Sequence, residues 1–223
     1  MKSLFSSRLL TGLLVFGLGT LAVDADASET GLLGGSATGF TGFSIYTATG
    51  LQHATVKGND LRVQGTDIKL PSQSETTHSS FWLVGLDYTH VFGNQFSLGA
   101  QVDYYPKSTQ VALSVSPGYQ FNDTVLGYVK LGWVSVPFTV DQGPGRSSYE
   151  TRQSAYFVGV GAKVNLDRGV FAYAELRYSE VERFDFTSWA DVPVAPGRSM
   201  SVPIQGSADT MAVNAFIGLG YRF

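Results

Sequence analysis

Apolar and polar residues alternate at every second position along most of the chain after residue 28. The carboxyl terminus has the clearest pattern, with one apolar set of positions and one set that is polar or glycine. The apolar set comprises Met211, Val213, Ala215, Ile217, Leu219, Tyr221 and Phe223. A period of two places successive side chains on opposite faces of a β-strand. The terminal segment is therefore predicted to be a strand with one face for lipid and one for a polar interior.

Eight segments of this kind follow one another. The first runs from about Thr38 to Val56 and is anchored by Phe43 and Ile45, but glycines at 42 and 50 interrupt its alternation. The other seven lie near residues 82–92, 96–104, 111–121, 129–133, 156–166, 170–178 and 211–223. We predict an all-β fold, a transmembrane antiparallel up-and-down β-barrel of eight strands.

The connections between these segments fall into two kinds. Three are predicted to be tight turns rich in Gly, Asn and Asp, at 93–95, 122–124 and 167–169. Between them lie four connections, of which only the second is short, at 58–79, 106–109, 137–153 and 180–208. Tight turns at one end and long loops at the other are typical of outer-membrane barrels, with the turns in the periplasm. An even number of strands then places both ends of the mature chain in the periplasm.

The first 27 residues have the pattern of an export signal. Lys2 and Arg8 form a basic flank, Leu9 to Val23 is an apolar run, and residues 25–27 are a small-x-small cleavage site. The alternative is a membrane anchor, but the run is shorter than the ~20 residues of a comfortable helical span. We therefore expect residues 1–27 to be a cleaved signal peptide and residues 28–223 to form the barrel domain.

A soluble barrel would carry its apolar face inside, so the position of the aromatic residues distinguishes the two folds. Many aromatics lie near the strand ends, which is typical of the two girdles at the surfaces of a membrane. They include Trp82, Tyr88, Phe96, Tyr104, Tyr119, Trp133, Tyr178 and Tyr221. The opposite face carries charges and glycines, which suits a narrow lumen. A lipid-facing barrel is the favoured interpretation.

Composition narrows the possible partners and chemistry. The chain has 15 basic and 18 acidic residues, and no basic cluster stands out to neutralise phosphates, so no nucleic-acid partner is expected. Removing the export signal leaves the net charge at −3, because it takes away two residues of each sign. The chain has no Cys, which excludes disulfides, thiol catalysis and Cys-ligated zinc.

With these features the chain resembles the small outer-membrane barrel superfamily that includes the transmembrane domain of outer-membrane protein A, outer-membrane protein X, the attachment-invasion proteins and the opacity proteins. Its most specific element is the end Tyr221-Arg222-Phe223, which is similar to the carboxyl-terminal aromatic signal read by the barrel-assembly machinery. The resemblance implies the outer membrane of a Gram-negative bacterium, with lipid and lipopolysaccharide as neighbours and a host or surface ligand as a candidate partner. Adhesion, envelope integrity, a small pore and enzymatic activity all occur on this fold.

Charged residues recur at positions predicted to face the lumen. They are Asp87, Asp103, Lys130, Lys163, Glu175, Arg177 and Arg222. Such a set could line a selective pore or fill the lumen as a network of ion pairs. The filled lumen is favoured, because an eight-stranded barrel is just wide enough for side chains to fill it, and buried charges of mixed sign persist when they are paired.

Catalytic signals are weak. His78 and Ser80 share a strand face and resemble the His-x-Ser pair of lipid A deacylase barrels, but that family carries its pair late in the chain, and Glu75 is the single acid nearby. His53 and His90 have no partner visible in the sequence. Neither a phosphate loop nor a metal-ligand cluster stands out, so no catalytic residue, cofactor or metal is expected.

The segment 180–208 is unusually apolar for an exposed loop. Phe184, Phe186 and Trp189 are its candidate contact residues, and three prolines accompany them. The loop is expected either to bind a partner or to fold over the barrel mouth. The leading functional hypothesis is a non-catalytic surface barrel that acts in adhesion or envelope integrity. A small channel is the alternative, and a lipid A-modifying enzyme is the third.

Overall fold

The computed structural model describes residues 39–140, 149–195 and 198–223, so the predicted export signal lies outside the described residues. Eight strands account for most of them. Their bounds are β1 Gly42–Val63, β2 Gln73–Val91, β3 Phe96–Tyr105, β4 Gln110–Gln120, β5 Val125–Val140, β6 Tyr149–Asp167, β7 Val170–Ala195 and β8 Arg198–Arg222.

The strands form one closed antiparallel barrel in sequence order, with β8 paired to β1. This confirms the predicted all-β, eight-stranded, up-and-down fold. Following the register once around the barrel from Tyr46 leads back to β1 at Val56, ten residues further along the strand. A stagger of this kind tilts the strands to the barrel axis, and with eight strands the interior is just wide enough for side chains.

The two faces of the wall differ as the alternation predicts. Apolar residues of the outward set, such as Leu86, Val102 and Ile217, are exposed, whereas the inward positions between them are buried. Aromatic residues of the outward set include Trp82 and Tyr178, both exposed. The interior is consequently the polar side of the wall, opposite to a soluble barrel. Within the three described ranges no helix is long and apolar enough to cross a membrane.

One end of the barrel, which we call the turn end, carries the three predicted tight turns. The turn after β6 has only Arg168 and Gly169 between the strands, and both have positive φ, 48° and 84°. Positive φ at both central residues is the type I′ geometry that matches the twist of a hairpin. The connections 92–95 and 121–124 are the other two turns. The opposite end is called the far end below.

The prediction of long loops at the far end is mostly wrong. The connection 106–109 has its predicted bounds, but much of 58–79, 137–153 and 180–208 is strand rather than loop. In particular, β7 and β8 pair from Val170↔Tyr221 to Ala195↔Arg198, so the segment predicted as an apolar loop is a long hairpin. Residues 141–148 lie outside the described residues.

Two β-bulges explain why the sequence pattern failed there. The register shifts between Val181 and Phe184 on β7 and between Asn59 and Arg62 on β1. A bulge adds one residue to one strand, so that the inward set changes from odd to even numbers or the reverse. The alternation therefore breaks in the sequence although the hydrogen-bonded ladder continues.

The far-end parts of β7, β8 and β1 form one wall that rises beyond the rest of the barrel. We call it the projecting wall and define it as residues 57–63, 181–195 and 198–210. Leu61 and Ile204 are buried in it, and the side chain of Leu61 covers Gly206, where a Cβ atom would lie only 2.5 Å from Leu61 Cδ2. The connection after β1 adds to this packing, since the amide of Gln64 donates to the carbonyl of Pro203 at 2.8 Å. The projecting wall thus has a small apolar core of its own.

Candidate functional site

The lumen is the candidate site with the most chemistry. All seven charged residues expected there are buried on the inward face of the wall. They come from six strands that the closed barrel brings together: β2, β3, β5, β6, β7 and β8. Charges this far from water require partners, and the partners divide them into two clusters and one separate arginine.

The larger cluster is centred on Glu175. Its carboxylate forms ion pairs with Lys130 and with Arg177, the latter at 2.7 Å. Arg177 also reaches Asp103 at 3.1 Å, so one guanidinium bridges two carboxylates. Lys130 is only 2% exposed. Because Arg presents several donors in a fixed plane, it can hold two acids in defined positions at once.

Aromatic side chains complete this cluster, and the sequence pattern did not single them out. Tyr128 donates to Glu175 at 2.9 Å, Tyr46 donates to Asp103, and Arg177 donates to the hydroxyl of Tyr105 at 2.8 Å. These hydroxyls satisfy acceptor and donor positions that the ion pairs leave open.

Two phenylalanine rings lie against the guanidinium of Arg177. The guanidinium carbon of Arg177 lies 4.2 Å from the ring centre of Phe157 and 4.7 Å from that of Phe216. This is a cation–π arrangement in a site shielded from solvent. Both phenylalanines are inward positions of their strands, which the sequence analysis took to be mainly polar.

The second cluster lies nearer the turn end. Lys163 pairs with Asp87 at 2.5 Å, and Asp87 also accepts hydrogen bonds from Gln101 at 3.0 Å and from Thr89. The ammonium of Lys163 lies 5.5 Å from the ring centre of Phe171. Every charge in the two clusters therefore has an opposite charge in contact with it.

Arg222 stands apart from both clusters. Within the described residues it has no carboxylate partner; its guanidinium donates to Asn165 at 3.2 Å and lies 5.4 Å from the ring centre of Phe40. It was expected to belong to the lumen network, and the structure separates it because it occupies the last position of β8, at the turn end.

The clusters leave little room in the lumen. The cavity among Tyr46, Lys130, Lys163 and their neighbours has a volume of about 10 Å³. A space of this size holds about one water molecule. The lumen is therefore closed at this level by side chains that are paired with one another, rather than open as a pore would require.

The weak catalytic candidate, His78 with Ser80, is on the outside of the barrel. His78 lies directly across from His53 of β1, and their Nδ1 atoms are 3.3 Å apart. Glu75 belongs to the inward set of β2, whereas His78 belongs to the outward set, so the wall separates them. Among the described residues no group of three or more His, Asp or Glu side chains could hold a metal ion. The pairing of His53 was missed because it depends on the register between β1 and β2.

The three contact candidates of the supposed loop lie in β7. Phe184 and Phe186 are opposite Ala208 and Gly206 on β8, and both are half-buried. Trp189 is opposite Pro203 and belongs to the other face of the same hairpin. The expectation of a loop is thus corrected to two faces of a paired sheet, of which one carries the phenylalanines and the other the tryptophan.

The expected assembly signal lies at the turn end. Tyr221 and Phe223 are exposed on the outward face, with ring centres 5.3 Å apart. The amide of Phe223 donates to the carbonyl of Phe43 at 2.9 Å, which attaches the end of the chain to β1.

Comparison with known proteins identifies the family. Residues 11–223 match the model of the outer membrane protein β-barrel domain. No curated protein matches the chain significantly. Among solved structures, the attachment invasion locus protein Ail of Yersinia pestis, in complex with the heparin analogue sucrose octasulfate, is similar at 14% identity and a TM-score of 0.44, covering 82% of this chain and 99% of Ail.

Two further structures are similar. The outer membrane protein OprG of Pseudomonas aeruginosa has 16% identity and a TM-score of 0.49, covering 83% of this chain and 97% of OprG. The outer membrane protease OmpT of Escherichia coli has 10% identity and a TM-score of 0.42, covering 82% and 97%. On the family match and the closed barrel together, the chain belongs to the outer membrane protein β-barrel domain family and is a protein of the Gram-negative outer membrane.

Proposed function

We propose that this protein is a non-catalytic surface barrel that acts in adhesion or envelope integrity, and that the projecting wall is the part that contacts its partner. The observation that carries the proposal is the unequal height of the barrel wall. β3 and β4 have 10 and 11 residues, whereas β7 and β8 have 26 and 25. Only ~9–11 residues are needed for a strand to span a membrane.

The surplus length of β7 and β8 lies at the far end, which in the proposed orientation faces the medium outside the cell. It is paired and has a packed core, so it presents a fixed surface rather than a flexible loop. Preformed surfaces bind with less loss of conformational freedom than segments that must order on binding. Trp189 lies on one face of this hairpin, and aromatic residues frequently dominate the energy of protein contacts.

The closed lumen supports this function over a channel. Ion pairs among buried side chains occupy the middle of the barrel, and the cavity between the two charge clusters is about 10 Å³. Conduction would require the wall or the charge clusters to rearrange at the expense of these contacts. A surface role requires no such rearrangement, because the barrel then serves only as a rigid support.

The aromatic residues on the outward face indicate where the barrel contacts lipid headgroups. Trp82, Tyr104 and Tyr178 are exposed aromatics at the far-end side of the apolar band, where such rings meet lipid headgroups. In the outer leaflet of a Gram-negative outer membrane these headgroups belong to lipopolysaccharide. We infer that lipopolysaccharide surrounds the base of the projecting wall.

The assembly partner is inferred from the terminal aromatics. If the barrel-assembly machinery reads Phe223 in the outward row, Phe223→Asp should lower the yield of folded barrel in cells. Folding can be followed by the difference in gel mobility between heated and unheated samples. Phe121→Asp is a matched control, since this exposed aromatic also lies at the turn end but not in the terminal strand. Equal yields for both variants would contradict an assembly role for Phe223.

The experiment for the proposed function removes the tip of the projecting wall. Thr187 and Gln205 lie directly opposite each other, so residues 188–204 can be replaced by Asn-Gly, which favours a two-residue hairpin turn. The shortened protein keeps Phe184 and Phe186 and loses Trp189. We expect it to fold and to lose binding to host cells or survival in serum, whichever the parent confers.

The control for this experiment changes the far-end connection of the two shortest strands, β3 and β4. Residues 106–109, between β3 and β4, are replaced by a Gly-Ser sequence of equal length, and the parent phenotype should remain. Heated and unheated gel samples establish that both variants are folded. If the barrel without residues 188–204 is folded and keeps the full phenotype, the projecting wall is not the contact surface.

A further inference from the structure

Two histidines lie together on the outward face at the base of the projecting wall. His53 of β1 and His78 of β2 are directly opposite in the register, and their ring centres are 4.6 Å apart. Their Nδ1 atoms are separated by 3.3 Å, and both side chains are exposed. The barrel holds this arrangement because the two strands are paired on both sides of the histidines, from Gly42↔Thr89 to Gly58↔Gln73.

The separation of the two nitrogens matches a shared metal ion. Two metal–nitrogen bonds of ~2.0–2.1 Å at a tetrahedral angle place the nitrogens ~3.4 Å apart. The observed 3.3 Å is close to this value and is also within reach of a hydrogen bond between the two rings, which a bound ion would replace. The rings therefore already have the spacing of two ligands, and binding would require little movement of the strands.

The place of the pair leaves room for further ligands. On β1 the aromatic Phe43 at the turn end precedes His53 by ten residues, and on β2 Tyr88 follows His78 by ten. Because ~9–11 residues span the membrane, both imidazoles stand at its far-end surface rather than in hydrocarbon. Water or headgroup oxygens can complete the coordination there, which explains how two protein ligands suffice.

The nearest outward neighbours of the pair are uncharged: those on β2 and on the far-end side of His53 are polar, whereas Leu51 and Val213 beside His53 are apolar and exposed. At the next outward positions Thr55 faces Thr76, with Oγ1 atoms 3.2 Å apart, and Ser80 lies on the other side of His78. Imidazole nitrogens suit Cu²⁺, Zn²⁺ and Ni²⁺, whereas Mg²⁺ and Ca²⁺ prefer oxygen ligands. We propose that His53 and His78 form a bis-histidine site for a first-row transition dication such as Zn²⁺ or Cu²⁺, with the ion joining β1 to β2.

The test uses the exported protein, extracted from outer membranes without a histidine tag and treated with a chelator. CuSO₄ is titrated calorimetrically, and we expect one ion per chain. His53→Gln and His78→Gln should each weaken binding at least about tenfold, because even the loss of an outer-shell partner costs ~10–100-fold. His90→Gln is the matched control, since His90 is exposed on the same strand but lies near the turn end beside Phe92.

The variants also require a check on folding. His53→Thr with His78→Thr repeats the neighbouring Thr55–Thr76 pair, which the two strands accommodate, so this double variant should fold and bind no Cu²⁺ at the site. Electron paramagnetic resonance should show two nitrogen ligands in the parent and in His90→Gln, and at most one in either single variant at the site. Unchanged affinity in the double variant, equal weakening by His90→Gln, or no Cu²⁺ uptake by the parent would each overturn the proposal.

Discussion

The lumen and the projecting wall both contain an arginine paired with an acid, but in different surroundings. In the lumen, Arg177 is held by Glu175 and Asp103 with side chains 4% exposed or less. On the projecting wall, Arg183 pairs with Asp60 at 2.6 Å, yet the two side chains are 54% and 69% exposed. The N···O distances of these ion pairs are similar, but we expect the pairs to contribute differently to the free energy of unfolding.

Under the proposed function, this difference separates the lumen, which supports the barrel, from the wall that contacts a partner. An exposed pair is screened by water and contributes at most about 1 kcal/mol, whereas removing one partner of a buried pair leaves a charge without water or a counter-ion. The lumen clusters are therefore sensitive to any change and fix the shape of the barrel. We expect the projecting wall to tolerate substitution of its charges, which suits the contact surface proposed above.

The largest expected effect is that of Glu175→Ala. It leaves Lys130 and Arg177 in the lumen with one carboxylate fewer and should lower the free energy of unfolding by about 3–5 kcal/mol. Urea unfolding in lipid vesicles, followed by tryptophan fluorescence, measures the change. Glu175→Gln, which keeps the volume of the side chain, should retain most of the destabilisation. A loss below about 1 kcal/mol for both variants would show that the pairs do not maintain the barrel.

A smaller effect is expected from Asp87→Asn in the second cluster. The substitution keeps the size of the side chain and its contact with Gln101 but removes the counter-ion of Lys163. We expect a loss of about 3 kcal/mol, the lower end of the range for a broken buried pair, because the ammonium of Lys163 keeps Thr89 Oγ1 and the ring of Phe171 as neighbours. The same urea experiment checks it, and an increase in stability would contradict the pairing.

The smallest effect is expected on the projecting wall, from Asp60→Asn. Asp60 has a positive φ of 52°, and Asn tolerates this conformation as well as Asp does, so the substitution removes only the charge. The loss should be at most about 1 kcal/mol. A loss as large as that from Asp87→Asn would remove the distinction between the two regions.

The sequence predicts the barrel because lipid and lumen impose a strict period of two within the membrane. From Met211 to Phe223 the alternation in the sequence is the alternation of outward and inward residues in the structure. The tight turns were equally readable, since Arg168-Gly169 supplies the positive φ values that the hairpin requires. Both signals are local, and each rests on a few neighbouring residues.

The structure of the far end and the contacts inside the lumen depend on residues that are far apart in the sequence. The bulge between Val181 and Phe184 reverses the inward set, so that 180–208 has the composition of a loop and the structure of a hairpin. The two phenylalanines around Arg177 come from β6 and β8, on either side of β7 in the sheet, and they are recognised as partners only once the barrel closes. The same is true of His53 and His78, which are 25 residues apart in the chain and become neighbours through the register.

The central claim is that the lumen is closed and that the protein acts through its wall, and conductance across a planar bilayer tests it most directly. With the parent protein inserted in the bilayer, the account predicts no steady conducting state, because paired side chains fill the middle of the barrel and the cavity between the two charge clusters is only about 10 Å³. Insertion is verified in vesicles of the same lipid by the mobility shift of the folded barrel on a gel. A stable, long-lived conductance step whose size or ion selectivity changes in Glu175→Gln would place the conducting path through the lumen and contradict the account.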